Sequence, residues 1–363
     1  MAGVLKNIIE DITGDLLESF LALRYDICTC KLCKNDMLAY TLSRVPAVYV
    51  TTEQGAIFSV AEQAKAENRA IILKVLLNAV EIVGDNPRHQ LKEDKEQTFQ
   101  LLLECLYKER GLDFRQYHRR LLKRRVALRL RANKLESYSD YLRLLINTPE
   151  EYDRLFEVLT INVSEFFRDP EIWPKTKELL SKLITAKSKL GSIPIIKIWC
   201  AGCANGEEAY SIAILAHELG AQKKGVDVQI FGTDIKQECL RNAQEGRYAK
   251  ERVNNVSAER IKNYFSTENG TFRINQILKP MLQFQYLDLT TINSLENMDI
   301  ILCRNVFIYF QRDLQEQLIM KFYKALQVGG HLILGKTETL LWEAKQIFEE
   351  VDFESRIYCR TQA

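Results

Sequence analysis

Long apolar runs are missing from this chain: nothing approaches the ~20 residues that a membrane-spanning helix needs, so no membrane insertion is expected. Met1 to Asp15 has neither the basic start nor the apolar stretch of a secretory signal, and a cytoplasmic protein is expected. An excess of one charge is missing too, with 50 Lys and Arg against 48 Asp and Glu for a net of +2. That balance argues against a protein dominated by nucleic acid or by anionic membrane. Nine cysteines, an odd number in that compartment, are expected to be reduced or metal-bound rather than disulfide-paired. With 363 residues, 47% hydrophobic and 27% charged, the chain has the make-up of a soluble globular protein of two or three domains.

The richest stretch runs from Ile195 to Ser211. A β-branched, apolar start reads as a buried strand, Gly202 and Gly206 punctuate a turn, and Tyr210, Ile214 and Leu215 follow helical spacing up to Gly220. A dinucleotide fingerprint needs G-x-G-x-x-G, and here Glu207 and Glu208 begin the helix where a phosphate would sit. Two carboxylates there repel phosphate and suit a cationic ligand without one, such as S-adenosylmethionine. A second strand from Val226 to Phe231 leads into Gly232, Thr233 and Asp234, an acid placed to accept from both ribose hydroxyls. A nicotinamide dinucleotide site and a ligand-free α/β turn are the competing readings. Trp199-Cys200-Ala201-Gly202-Cys203 also has the look of a thiol redox site, but the helix signals start too late to activate Cys200, which favours two small residues packed in a tight loop.

Residues 1–90 read as a separate helical module, with Ile8, Ile9, Ile12, Leu16, Leu17 and Phe20 at helical spacing and Ile71, Ile72, Val75, Leu76, Ala79 and Ile82 repeating it. Between them Cys28, Cys30 and Cys33 can chelate one soft divalent ion, and Lys31 and Lys34 would help hold them as thiolates. Zinc takes four ligands, so His89 or a thiol of a second copy would complete it; a reduced cluster without metal is the other reading. Residues 91–97 are a polar linker. Residues 98–160 form a second helical piece with a basic band from Lys108 to Lys134, opposed only by Glu109 and Asp113. A solvated helix face and a nucleic-acid patch are weighed against a docking surface for an acidic partner; without interleaved stacking aromatics, the docking surface is favoured. The sheet domain then covers 161–363, with an inserted subdomain at 246–280, strands at Met281 to Tyr286, Asp299 to Cys303 and His331 to Leu334, and antiparallel closing strands.

Two families are resembled. Cys28-Thr29-Cys30-Lys31-Leu32-Cys33, Asp36, Leu42 to Tyr49 and Asn86-Pro87-Arg88-His89 resemble the ComFB family of late-competence proteins over residues 4–90. That resemblance implies a small helical, dimer-forming, zinc-binding module, with cyclic-dinucleotide sensing in some members. From residue 98 onward, Asn162-Val163-Ser164-Glu165-Phe166-Phe167-Arg168-Asp169-Pro170, Gly202 to Ser211, Gly232-Thr233-Asp234 and Cys303-Arg304-Asn305-Val306-Phe307-Ile308-Tyr309-Phe310 resemble the CheR family.

The second resemblance implies a Rossmann-like α/β methyltransferase sheet with a small inserted β-subdomain, preceded by two all-α modules. It implies transfer of methyl from S-adenosylmethionine to glutamates of a chemoreceptor or similar acidic helical protein, leaving S-adenosylhomocysteine. By resemblance Asn162, Ser164, Arg168, Glu208, Asp234, Asp288, Leu289, Arg304 and Asn305 line the cofactor site, and Arg168 and Tyr309 face the methyl transfer. The inserted subdomain corresponds to one that holds a receptor tail in some members. One departure is Lys336, which stands where the family commonly has a histidine, at a position expected to border the pocket. A glutamate (pKa ~4.3) is already ionised at neutral pH, so four histidines in the chain are no obstacle. A non-catalytic cofactor-binding scaffold is the alternative; a nucleic-acid methyltransferase would usually show an N-P-P-Y-like motif, and none follows Cys303.

Overall fold

The computed structural model describes residues 5–21, 28–52, 54–55, 59–60, 66–85, 95–160, 164–189, 194–268, 270–291, 294–340, 344 and 346–361. Two compact units divide the chain: Met1–Arg115 with Lys123–Val158, and Gln116–Leu122 with Leu159–Ala363.

In the first unit, Ile8–Leu21 (α1), Lys31–Leu42 (α2) and Ala66–Asp85 (α3) bury apolar stripes of helical period. Leu17, Leu21, Cys33, Met37, Leu76, Ala79, Val80 and Val83 share one core, and Ile9, Val45 and Ile72 a smaller one. Ile71 and Ile82, expected on the buried face, are instead 54% and 44% exposed, because the stripe of α3 runs through Ile72, Leu76 and Val80. A two-residue ladder, Lys6–Asn7 (β1) against Tyr49–Val50 (β2), brings the start of α1 to the chain after α2.

Lys95–Arg110 (α4), Arg119–Ala132 (α5), Tyr138–Asn147 (α6) and Pro149–Leu159 (α7) follow. Ser137 caps α6 by accepting from the Asp140 N–H, and Pro149 opens α7 at the position where its missing N–H costs nothing. The basic band proves better answered than its sequence neighbours suggested. Lys123 pairs with Glu96 and Arg110 lies 3.4 Å from Asp153. Arg129 makes two 2.8 Å bonds to Glu151. These acids lie far along the chain and are brought in by helix packing.

The second unit contains, in order, Trp173–Lys187 (α8), Ile195–Ala201 (β3), Glu207–Glu218 (α9), Asp227–Asp234 (β4), Gln237–Glu245 (α10), Arg247–Tyr248 (β5), Ala258–Tyr264 (α11), Phe265–Glu268 (β6), Thr271–Ile274 (β7), Leu282–Tyr286 (β8), Met298–Cys303 (β9), Arg312–Ala325 (α12), Leu326–Leu334 (β10), Phe348–Asp352 (β11) and Ile357–Arg360 (β12). One sheet has the order β11-β12-β10-β9-β3-β4-β8, and β5-β7-β6 form a separate antiparallel sheet within the inserted stretch. In the large sheet β10, β9, β3, β4 and β8 are parallel, while β12 and β11 add antiparallel at one edge.

Alternation along β3 shows why both faces are covered: Ile196, Ile198 and Cys200 join the core under α9, whereas Trp199 and Ala201 join the core under α12. From β3 the chain steps outward to β4 and β8, then restarts with β9 on the other side of β3. That reversal opens a crevice at the C-terminal ends of the central strands. No helix among the described residues is long and apolar enough to cross a membrane.

The Glu151 carboxylate, 1% exposed, also accepts from the Tyr141 hydroxyl (2.8 Å) and the Asn133 amide (3.1 Å). Burial alone would push this carboxyl up, but the Arg129, Tyr141 and Asn133 donors outweigh it and hold it below the usual carboxylate range. Its stabilising contribution is therefore present above the usual glutamate range and is lost as pH falls through the lowered value. Glu151→Gln is expected to lose about 3–5 kcal/mol at pH 7, the typical cost of leaving a buried charge unpaired, and to flatten the acid limb of stability. Urea midpoints from pH 7 to pH 3 measure both.

Candidate active site

The turn after β3 is held by the neighbouring strand. The N–H groups of Gly202 and Cys203 both donate to the Thr233 carbonyl (2.8 and 2.9 Å), and the Trp199 indole donates to the Thr233 hydroxyl (2.9 Å). Gly202 has φ +75°, and a β-carbon there would come within 2.7 Å of Val306 Cγ2, so both the backbone and the space require glycine. The Ala204 N–H donates to Asp234 Oδ2 and the Lys236 N–H to Asp234 Oδ1, each at 2.9 Å. The acid at the end of β4 is thus fixed in orientation. Burial pushes its carboxyl up against the pull of those N–H groups.

The two glutamates that open α9 have different fates. Glu208 borders the cavity and lies 3.1 Å from the Arg304 Nη1. Glu207 is fully buried and is not among the described lining residues; burial raises its carboxyl. The expectation that both acids face a ligand is corrected to one, because consecutive helical residues point about 100° apart. Cys200 and Cys203 are fully buried with thiols pushed well above their ordinary range by burial, which removes the redox reading.

Arg304, at the end of β9, gathers the far wall. Its Nη2 donates to Asp169 Oδ2 (2.7 Å) and to the Arg168 carbonyl (3.0 Å), a carbonyl that also accepts from the Trp173 indole (2.9 Å). Burial raises the Glu208 carboxyl and the Arg304 charge opposes it. Next in the chain, Asn305 has φ +59°, and its N–H donates to Glu338 Oε2 (2.9 Å), which also accepts from the Gly335 N–H (2.6 Å). Asp288 is held by the Thr290 N–H and hydroxyl (2.8 and 2.7 Å).

Ser164, Arg168, Glu208, Asp234, Asp288, Leu289, Arg304, Asn305 and Tyr309 all line a single cavity at the C-terminal ends of β3, β4, β8 and β9. Asn162 lies outside the described residues. Lys336, expected at the border, is not among the described lining residues; its side chain is 63% exposed and pairs with Glu171 at 2.6 Å. Glu338, two residues on, is the member of that turn that reaches the Asn305 backbone. Tyr117, Glu165, Val306 and Phe310 also line the cavity and were not anticipated. For Val306 and Phe310 the signal was at hand, since both lie inside the Cys303–Phe310 motif. Four acids (Glu165, Glu208, Asp234, Asp288) and two arginines (Arg168, Arg304) line the space, so its formal charge is negative. That balance disfavours a phosphate and suits a cation.

In the first unit the sulfurs of Cys28, Cys30 and Cys33 lie within 4.8 Å of one another. Cys30 caps α2, its sulfur accepting from the Cys33 N–H at 3.4 Å, and this bond lowers its thiol to about 7. Burial drives Cys33 up to about 12. Three converging thiols, one already thiolate-prone, fit a soft divalent ion with a fourth ligand still to be supplied. His89 lies outside the described residues.

Comparison with known proteins agrees with this geometry. Residues 162–357 match the family model of the CheR methyltransferase SAM-binding domain, residues 97–160 that of the CheR methyltransferase all-alpha domain, and residues 6–87 that of the late competence development protein ComFB. A Pseudomonas putida protein named Cher3 is 30% identical over 71% of this chain and 94% of its own length. The chemotaxis protein methyltransferase of Listeria innocua is 28% identical over 68% of this chain and 92% of its own. A 104.1 kDa protein of Rhodobacter capsulatus is 27% identical over 71% of this chain, which spans only 27% of that longer relative. With its SAM-binding domain, its all-alpha domain and a ComFB-family segment in front of them, the chain belongs to the CheR family of SAM-dependent methyltransferases.

Proposed function

We propose that this protein transfers the methyl group of S-adenosylmethionine to glutamate side chains of a chemoreceptor-type protein. The observation that carries the reading is the cavity's composition: a backbone-oriented Asp234 and, among the described lining residues, four acids against two arginines. Bound there, S-adenosylmethionine supplies an electrophilic methyl on a positively charged sulfur.

The residues divide the work. Asp234, fixed by the N–H groups of Ala204 and Lys236, keeps lone pairs for two ribose hydroxyls. Glu208, with Arg304 beside it, leaves the site able to accept the cofactor's positive charge. Arg168, half-buried in the wall, offers a planar fork to a carboxylate, and Tyr309 offers a hydroxyl to the same region. No residue has to remove a proton, because the acceptor is already an anion. Opposite charges cancel as the bond forms, so the aromatic wall of Tyr117, Tyr309 and Phe310 favours the reaction by excluding water. Alignment of the two reactants supplies much of the remaining acceleration.

The ComFB-family segment is assigned a regulatory input, reporting a metal or small-molecule state to the enzyme. What supports this is its covalent attachment and its converging thiols. The matched chemotaxis methyltransferases support a receptor acceptor, and the negative cavity supports a cationic cofactor.

Purified protein incubated with labelled S-adenosylmethionine and receptor fragments is expected to give protein-bound label that mild base releases as methanol; base-stable label excludes a carboxyl ester. Asp234→Ala is expected to weaken cofactor binding by about 100-fold or more in calorimetry, the loss of two charge-assisted hydrogen bonds. Metal analysis is expected to find zinc on the full chain and to find it lost in Cys30→Ser. Unchanged methylation after removal of residues 1–90, with and without zinc, would refute the regulatory assignment.

A further inference from the structure

Gln116, Tyr117 and His118 stand between helices in the sequence, yet they belong to the compact unit that holds the cavity. They run antiparallel to Tyr309–Gln311, with Tyr117 opposite Phe310. The His118 N–H donates to the Tyr309 carbonyl and the Gln311 N–H to the Gln116 carbonyl, both at 2.8 Å. The Gln311 side-chain amide donates to the Tyr117 carbonyl (2.8 Å), and the Tyr117 and Phe310 rings meet edge to face with centroids 4.9 Å apart. This is a one-bridge strand added to the segment that carries Tyr309.

The place where it attaches matters. Tyr309 ends a single 3-10 turn, Phe307–Tyr309, and its own N–H bonds within that turn to Val306. Upstream, Asn305 sits at φ +59° and is secured by Glu338; downstream, the Gln315 side chain holds the carbonyls of Phe307 and Phe310. The bond from His118 falls on the carbonyl of Tyr309 itself, and the ring of Tyr117 stands in the cavity beside it. A turn this short has little stiffness of its own, and a side chain that meets the reacting groups loses most of its value if displaced by about 1 Å.

We propose that Gln116–His118 is a positioning strand for Tyr309: pairing with Tyr309–Gln311 fixes where the tyrosine stands, and so sets the rate of methyl transfer without setting cofactor affinity. The kinetic part rests on the glutamate-methylation reading; the pairing itself does not. The helix with the densest positive charge, α5, begins at the next residue, Arg119, so the pairing joins the Tyr309 turn by backbone to that helix.

Three variants of the full chain test this. His118→Pro removes the donor to Tyr309 while keeping Tyr117 extended. Gln311→Leu removes the side-chain bond, and Tyr117→Ala removes the ring. In hydrogen–deuterium exchange, peptides covering 305–311 should exchange about tenfold faster in His118→Pro and Tyr117→Ala, with those of β3 and β4 unchanged. In methyl transfer, kcat should fall about tenfold to a hundredfold in the same variants. The calorimetric Kd for S-adenosylmethionine should stay within about twofold in His118→Pro and Gln311→Leu, whose substituted residues do not line the cavity.

Unchanged exchange over 305–311 overturns the proposal whatever the acceptor proves to be. Faster exchange with kcat unchanged also overturns it, as does a loss of cofactor affinity that accounts for the whole effect. Base-stable label on the wild-type product sinks the glutamate reading alone, and the exchange result still decides the pairing. Should exchange rise throughout the sheet in His118→Pro, the milder Gln311→Leu carries the same two readouts.

Discussion

The buried guanidinium of Arg304 is the junction on which the site depends. Its side chain is 2% exposed and touches two pieces of chain that are remote in sequence: Glu208 at the head of α9, and Arg168–Asp169 before α8, through the Arg168 carbonyl and the Asp169 carboxylate. A charge so placed is costly unless it is paired and hydrogen-bonded, and both of its Nη atoms are. The backbone around it reflects that demand. Phe167, Asp169, Ala204 and Asn305 all have positive φ without being glycine, at 52°, 53°, 48° and 59°. Conformations of this kind persist only where the surroundings over-determine them. Here the surroundings include the Phe167 N–H bonded to Ser211, the Ala204 N–H bonded to Asp234 and the Asn305 N–H bonded to Glu338.

The inserted sheet shares in holding the same wall. Phe166 packs edge to face on Tyr248 and Phe265, with centroids 4.8 and 5.1 Å away, and its N–H donates to the Arg252 carbonyl. The Tyr248 hydroxyl donates to the Asn205 carbonyl in the glycine turn (2.7 Å). Both lips of the cavity, the Ser164–Arg168 wall and the Gly202–Gly206 turn, are therefore fastened to one small subdomain.

Much of this was legible because it is local. The apolar strand, the glycine turn and the helix after it are written within Ile195–Gly220, and an acid at the end of the next strand follows from the same βα logic. What could not be read depends on chain closure. Arg304 was recognisable as a lining residue, but its bonds to Asp169 and Glu208 span 135 and 96 positions. Tyr117 belongs by sequence to a helical region and gave no local sign that it pairs with Phe310. Lys336 was placed at the pocket by analogy and turns outward to Glu171, since Glu338 takes up the inward direction of that turn. The different surroundings of Glu207 and Glu208 were within reach of simple helical geometry, and composition alone obscured them. In the basic band, the acids that answer Lys123 and Arg129 come from other helices, so counting charges in sequence overstated the free positive surface.

The thiols sort into two chemical populations. Cys200, Cys203 and Cys303 are buried in the sheet unit, where burial pushes their thiols well above the ordinary range, while Cys30 is exposed at the front of the chain with a thiol lowered to about 7. With no metal bound, mild electrophiles at neutral pH therefore meet Cys30 before the buried Cys200, Cys203 and Cys303. Stripped of metal, the chain thus offers a fluorescent handle on its own front segment, without an engineered cysteine.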